Sequence, residues 1–302
     1  MVFVMNKATK RIVFLSAVGF LLLVIIGLSI FFASQDPKAV SNDTGVQLLD
    51  KAANTGNIYV KDYYEGEMEI PQYDIPLSNY AVDKFKVSDA GVISYEDSAL
   101  GVIVNGQKKG EVDWTKVKSS GVRFVLLRVG YSNYETGEIY LDPTFGTNIQ
   151  AALDAGLDVG VYYFSQAVTE EEAGLEATAV LDQIKDYQVK YPVMVKWAYA
   201  NADDMSKVRT KDCTPEQITD VVSTFCQKVK AAGYAAGFYS DKSFGYEKFD
   251  LTKLSDYDMW YSEYRTAPAF YYDFKLWEYS EQGTVPGIED KVEMCISLKK
   301  YT

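Results

Sequence analysis

From residue 99 onward the chain alternates short apolar runs with amphipathic stretches, and this alternation limits the possible folds more than any other feature. Runs of strand length occur at Leu100–Val104, Phe124–Val129, Asp158–Phe164, Pro192–Trp197 and Ala235–Tyr239. Three more follow at Asp258–Tyr261, Leu276–Tyr279 and Lys291–Ile296. Between the first five lie helix-like segments near 113–119, 143–155, 169–186 and 214–232. The last of these is the best delimited. Thr214 can cap it, Pro215 suits the first turn, Gln217 completes a capping box, and Gly233 follows its end. Gly121 and Gly156 punctuate two earlier helices. Short strands alternating with longer helices imply a parallel sheet with helices outside. Eight strands, the last three poorly separated by helix, predict an α/β fold. The expected architecture is an irregular (β/α) barrel of TIM-barrel type over residues 99–302, with a final all-β portion. In such barrels the chemistry sits where the C-terminal ends of the strands meet.

The segment before the barrel divides in two. From Ile12 to Gln35 there is no charged residue, and about 20 apolar residues suffice to span a hydrocarbon core of ~30 Å. Lys7, Lys10 and Arg11 precede the run without an acid among residues 1–11, which places that short N-terminus in the cytoplasm and the remainder outside. A cleaved signal peptide is the rival, but its apolar region is normally ~7–15 residues with an A-x-A-like site. Ala33-Ser34-Gln35 fits that rule poorly, so a single-pass transmembrane signal anchor over 12–35 is expected. Residues 36–98 are rich in Asp, Asn, Ser, Gly and Tyr, and Pro71 and Pro76 interrupt them. They read as an extracellular stalk with a pre-domain arm.

Composition removes several classes of function. The 302 residues contain no histidine, which excludes His-based triads, proton shuttles and His metal sites. The net charge of −12 disfavours nucleic acid as a partner. Cys213, Cys226 and Cys295 show no CxxC spacing and read as core or free thiols. Asp203-Asp204 alone is too little for calcium, no Gly-rich phosphate loop occurs, and no cofactor or metal is expected.

A set of phrases in fixed order runs through the barrel segment. It includes Val112-Asp113-Trp114-Thr115, Gly121-Val122-Arg123-Phe124 and Arg128-Val129-Gly130-Tyr131. Next come Asp142-Pro143-Thr144-Phe145 with Asn148, then Gly156-Leu157-Asp158-Val159-Gly160-Val161-Tyr162-Tyr163-Phe164-Ser165. Tyr257-Asp258-Met259-Trp260, Trp277-Glu278-Tyr279-Ser280 and Gly283-Thr284-Val285-Pro286-Gly287-Ile288 complete it. Together they resemble glycoside hydrolase family 25, the barrel-fold lysozymes (N-acetylmuramidases), from about Gly101 to Tyr301.

The resemblance implies where catalytic carboxylates belong. Family members place an Asp in a first-strand motif of the type Gly-Ile-Asp-Val-Ser-x-His-Gln-Gly, an Asp-x-Glu pair on a central strand, and an Asp on the last strand. Here the first-strand Asp position is Ile103, the Ser position Asn105 and the His position Gln107. The Asp-x-Glu positions are Lys196 and Ala198, and the last-strand position is Glu293, with Cys295 at a usual Asn-type neighbour. Gln residues expected after Trp260 and in the Trp277 motif are Glu263 and Glu278. Glycoside hydrolysis needs one carboxylic acid to protonate the leaving oxygen and negative charge to support an oxocarbenium-like state. With Ile103, Lys196 and Ala198 in place of those groups, no catalytic residue is expected. The alternative is an active peptidoglycan hydrolase using relocated carboxylates, Glu263 or Glu293.

The charged set Lys196, Glu263, Glu278 and Glu293 admits three readings: an ion-pair network with Lys196 facing Glu293, ligand recognition, or new catalysis. Tyr162, Tyr163, Trp197, Glu263, Trp260 and Trp277 are the candidates for contact with glycan, and Phe270-Tyr271-Tyr272 adds aromatic surface. Inherited packing is the plainer reading of Trp260 and Trp277. The expected ligands are peptidoglycan or another cell-wall glycan, or an envelope protein.

Overall fold

The computed structural model describes residues 44–106 and 112–302. The cytoplasmic terminus and the anchor expected over residues 1–35 lie outside the described residues, as does Gln107. Among the described residues no helix is long and apolar enough to cross a membrane.

Eight strands close into a barrel: β6 (Ala99–Val104), β7 (Phe124–Ser132), β9 (Asp158–Ser165), β10 (Val193–Trp197), β11 (Ala236–Ser240), β12 (Asp258–Ser262), β13 (Leu276–Gly283) and β14 (Val292–Ser297). All eight apolar runs became strands. Neighbours are parallel from β6 through β13, whereas β14 runs antiparallel to both β13 and β6. A short strand absent from the sequence reading, β8 (Ile139–Leu141), folds back on β7 outside the closed ring.

Side chains alternate across each strand, so one set fills the barrel and the other faces outward. Inside are Ile103, Phe124, Leu126, Tyr162, Met194, Trp260, Leu276 and Cys295. The end of the barrel opposite the mouth is plugged by Phe124 stacked on Tyr191 at 4.2 Å, with Tyr301 beyond it. Gly101 has to be glycine here, because a Cβ would lie 2.2 Å from the Phe124 ring.

The outward face of the first half is covered by helices. α1 (Trp114–Ser119), α2 (Phe145–Asp154), α3 (Glu170–Ile184) and α4 (Pro215–Ala231) fall where the sequence placed them. Thr214 and Gln217 form the expected capping box of α4. Glu170, Glu171 and Glu172 occupy the first turn of α3, where acids favour the helix dipole. After β11 the helical cover thins to one π-helical turn (Phe244–Lys248) and the four-residue α5 (Leu251–Leu254).

The segment read as stalk and arm supplies the missing cover. From Thr44 it is folded, with a three-stranded antiparallel sheet of β1 (Val46–Leu48), β2 (Asn57–Asp62) and β3 (Gly66–Pro71), then a small hairpin, β4 (Lys86–Val87) and β5 (Ile93–Ser94). Val60 and Ile70 are fully buried. Asp62 shapes the β2–β3 turn by accepting the N–H groups of Tyr64 and Glu65. Tyrosine hydroxyls tie this sheet to the barrel: Tyr64 to the Ala267 carbonyl (2.9 Å), Tyr73 to that of Phe249 (3.0 Å) and Tyr80 to that of Phe274 (2.9 Å). Phe85 meets the Trp277 ring edge-on at 5.2 Å. Poor apolar periodicity hid this region because its strands are short and its contacts lie some 200 residues away in the chain.

Candidate active site

The position of each candidate follows from the parity of its strand. Ile103 on β6, Tyr162 on β9, Lys196 on β10, Tyr239 on β11, Trp260 on β12, Glu278 on β13 and Glu293 on β14 all belong to the inward set. Strand register confirms the neighbourhood, since Glu293 pairs with Ile103 and Glu278 with Cys295. Ile103 is buried in the barrel lining. Ala198 lies just past β10, where its carbonyl accepts the Gln166 side-chain amide at 2.8 Å.

Lys196 dominates the mouth. Its ammonium sits 3.9 Å from the centre of the Tyr239 ring and 5.2 Å from that of Trp260. Aromatic faces attract such a charge by their quadrupole. Trp260 in turn makes edge contacts with Tyr162 (5.5 Å) and Tyr239 (5.0 Å). The ion pair expected between Lys196 and Glu293 does not form, and Lys196 makes no ion pair with any described residue. Its charge is accommodated by rings instead, and its field reaches Glu278.

Glu278 is almost wholly buried, and burial pushes its carboxyl above the usual range. Lys196 opposes that rise, Tyr264 opposes it through a 2.7 Å hydrogen bond from its hydroxyl, and the neighbouring Glu293 reinforces it. Trp260 Nε1 and Glu278 Oε2 are both buried without a well-formed hydrogen bond. Burial also raises the Tyr162 hydroxyl, which meets Asn105. On β7, Arg128 reaches into the same end of the barrel and pairs with Asp142 at 3.4 Å.

Four of the glycan candidates sit elsewhere. Tyr163, Trp197 and Trp277 each follow an inward residue, so they face outward, into the layer between the sheet and its cover. Each is buried there with its polar atom engaged: Tyr163 with Ser132, Trp197 with the Ala167 carbonyl and Trp277 with the Glu263 carbonyl. Glu263 binds Lys242 at 3.0 Å and accepts the Ala269 N–H. Lys242 also reaches Asp62 (2.7 Å) and Glu65 (3.1 Å), so this cluster joins the arm to the barrel and is not part of the mouth. Phe270 is buried against Tyr246 and Tyr261, and Tyr272 is buried against Tyr73 of the arm. Tyr162 and Trp260 alone of the six candidates face the mouth. Sequence reasoning passed over Tyr239, whose inward parity at the end of its run was the available signal.

Among the described residues no cluster of His, Cys, Asp or Glu has the arrangement of a metal site. Cys213, Cys226 and Cys295 are free thiols, as read.

The solved structures similar to this chain share its barrel. The modular autolysin LytC from Streptococcus pneumoniae superposes with a TM-score of 0.56 at 20% identity, over 82% of this chain and 57% of LytC. This chain therefore spans little more than half the length of that relative. LytC has also been solved in complex with a synthetic peptidoglycan ligand. A family 25 glycosyl hydrolase from Bacillus anthracis gives 0.55 at 18% identity, over 67% of this chain and 89% of that one. A bacterial lysozyme from Streptomyces coelicolor gives 0.50 at 18%, over 68% and 92%. No curated protein sequence matches the chain. At these identities the superpositions establish the fold. The sequence itself matches the profile of glycosyl hydrolases family 25 over residues 106–288, more than half of its length, and the protein belongs to that family.

Proposed function

We propose that this protein binds peptidoglycan glycan through a lysozyme-type barrel without hydrolysing it, held at the cell membrane by residues 12–35 with the barrel outside. The observation that carries the reading is the occupancy of the mouth by Lys196. At the position where the family resemblance puts an acid, an ammonium rests on Tyr239 and Trp260. An oxocarbenium-like state forming beside it would meet positive charge where stabilisation requires negative. Ala198, at the position of the general acid, has no proton to donate. Loss of one such group typically costs ~10²–10⁴-fold in rate. The mouth keeps aromatic rings, hydroxyls and amides of the kind that sugar rings contact.

The test measures reducing-end release from purified peptidoglycan by the full-length protein, beside co-sedimentation of the protein with the same material. Sedimentation without release is the expected result. Release above a no-protein blank would overturn the reading. Absence of sedimentation, with capture of a defined envelope protein, would transfer the function to that partner. Restoring the family groups with Ile103→Asp, Lys196→Asp and Ala198→Glu should produce release if the groove retains its shape.

One observation favours a second reading, a hydrolase with relocated carboxylates. Glu278 is a buried carboxyl with a raised pKa beside a second inward carboxylate, Glu293, and such pairs supply an acid and its counterpart. Glu263 drops out of that reading because Lys242 engages it. Release by the wild type that persists unchanged in both Glu278→Gln and Glu293→Gln would sink it.

A further inference from the structure

We propose that a row of side chains crossing four adjacent strands, from Lys196 through Phe164 and Tyr131 to Tyr140, is a track on which sugar rings leave the barrel mouth. The inference rests on the glycan-binding reading above and names the surface that would carry it.

The row is built by register. Lys196 on β10 lies opposite Phe164 on β9, Phe164 opposite Tyr131 on β7, and Tyr131 opposite Tyr140 on β8. Residues directly opposite one another project from the same face of a sheet. Lys196 faces the mouth, so the whole row does. The irregularity in β7 between Arg128 and Gly130 restores this phase, putting Tyr131 level with Phe164. Strands lie ~4.8 Å apart, so three steps span about 14 Å, room for more than one pyranose ring.

Exposure rises along the row. Lys196, Phe164 and Tyr131 are half-buried, and Tyr140 is 38% exposed. β8, outside the closed barrel, thus extends the inner face beyond the rim. The platform at its end is rigid. Tyr131 and Tyr140 stack with ring centres 5.5 Å apart and planes 19° from parallel. The Arg128 guanidinium lies 5.1 Å from the Tyr131 ring centre and is itself held by Asp142. The Tyr140 hydroxyl donates to Glu138 at 2.7 Å. Flat, fixed aromatic faces bordered by a guanidinium and a carboxylate suit the apolar face and hydroxyl rim of a sugar. The other use of such a pair is a cross-strand contact worth ~0.2–1 kcal/mol to the hairpin. That role alone would not require the row to continue into the mouth.

The experiment is co-sedimentation of the full-length protein with purified peptidoglycan, paired with thermal melts. Tyr140→Ala and Phe164→Leu should each weaken binding about five- to tenfold, the range of one aromatic contact. Tyr140→Phe should bind like the wild type, because the ring face is kept. Leu141→Ala, one residue along on the opposite face, should leave binding unchanged. Binding by the wild type that is equal in Tyr140→Ala and Phe164→Leu would overturn the track and leave the glycan reading standing. A lowered melting temperature with unaltered binding would reduce the row to packing. No sedimentation of the wild type would overturn both.

Discussion

The two halves of the barrel wall solve one problem in different ways. On β9, β10 and β11 the outward residues, among them Val161, Val195, Trp197 and Phe238, are buried under α3 and α4. Those helices connect the very strands they cover. On β12, β13 and β14 the outward residues Tyr261, Trp277, Tyr279 and Met294 are just as deeply buried, yet no helix of comparable length follows those strands. Much of their cover is the arm, residues 44–98, which precedes the barrel in sequence and sets Phe85 against Trp277 and Ile93 beside Tyr279, while Phe270 and Phe274 of the β12–β13 connection lie on Tyr261. Burial of an apolar strand face is obligatory, because ~25 cal/mol is at stake for each Å² left in water. Its source is not prescribed. Local cover makes the first half readable from the chain, and distant cover makes the second half depend on tertiary assembly.

Removing the arm tests that comparison most severely. A chain lacking residues 44–98 should lose its cooperative thermal transition and bind a hydrophobic dye, because a whole sheet face is uncovered. An unchanged melt would mean the arm is an ornament and the comparison false. Single residues sharpen it. Trp197 and Trp277 are equally buried, the first against Tyr199 and Phe244, the second against Phe85 and Tyr279. Trp197→Ala and Trp277→Ala should therefore cost similar amounts in chemical denaturation, roughly 3–5 kcal/mol each. A much smaller cost for Trp277→Ala would show that the arm packs loosely.

The clasp at Lys242 comes next. Lys242→Met leaves Asp62 and Glu263 without their cation, at about 3 kcal/mol, the lower end for breaking a buried ion pair. Burial holds the Glu263 carboxyl above its ordinary value even with Lys242 present, so acid should partly relieve the defect. A deficit that grows as pH falls would contradict this account.

The smallest effect belongs to the helix-covered half. Glu176 on α3 is buried, its carboxyl pushed up to about 7 by desolvation despite hydrogen bonds from Ser132, Ser165 and the Gln166 N–H. A folded-state value above the unfolded one means stability is fullest below the unfolded value of 4.5 and is lost as pH rises through about 7. Glu176→Gln should flatten that dependence and stabilise the protein at pH 8 by up to about 3 kcal/mol, with little change near pH 4. Denaturant midpoints across that range would decide it.

The same contrast between local and distant information explains what was legible. The eight barrel strands and the four helices between the first five of them were readable, because apolar period, Thr214, Pro215, Gln217 and the closing glycines are local signals. That Ile103, Lys196 and Ala198 stand at acid positions is an expectation drawn from the family resemblance and the order of the motifs around them. Residue type alone does not give the face of an aromatic. Trp197 and Trp277 share their type with Trp260, yet each adjoins an inward charged residue, Lys196 or Glu278, and so points away from the mouth. Parity alone separates them. Parity does not give the role of Glu263, because its partner Lys242, and the Asp62 that Lys242 also binds, come from remote segments.

By itself, then, the sequence determined the strand–helix order of the barrel, the barrel class and the family, all of which are written in neighbouring residues. Only the tertiary structure decided that Lys196 rests on Tyr239 and Trp260 instead of pairing with Glu293, that Lys242 joins arm to barrel, and that the arm completes the wall. Each of those outcomes depends on which surfaces meet across more than a hundred residues of chain or around a closed ring of strands. Local period and propensity carry no information about such meetings, because the free energy that selects them arises only when the surfaces are buried together.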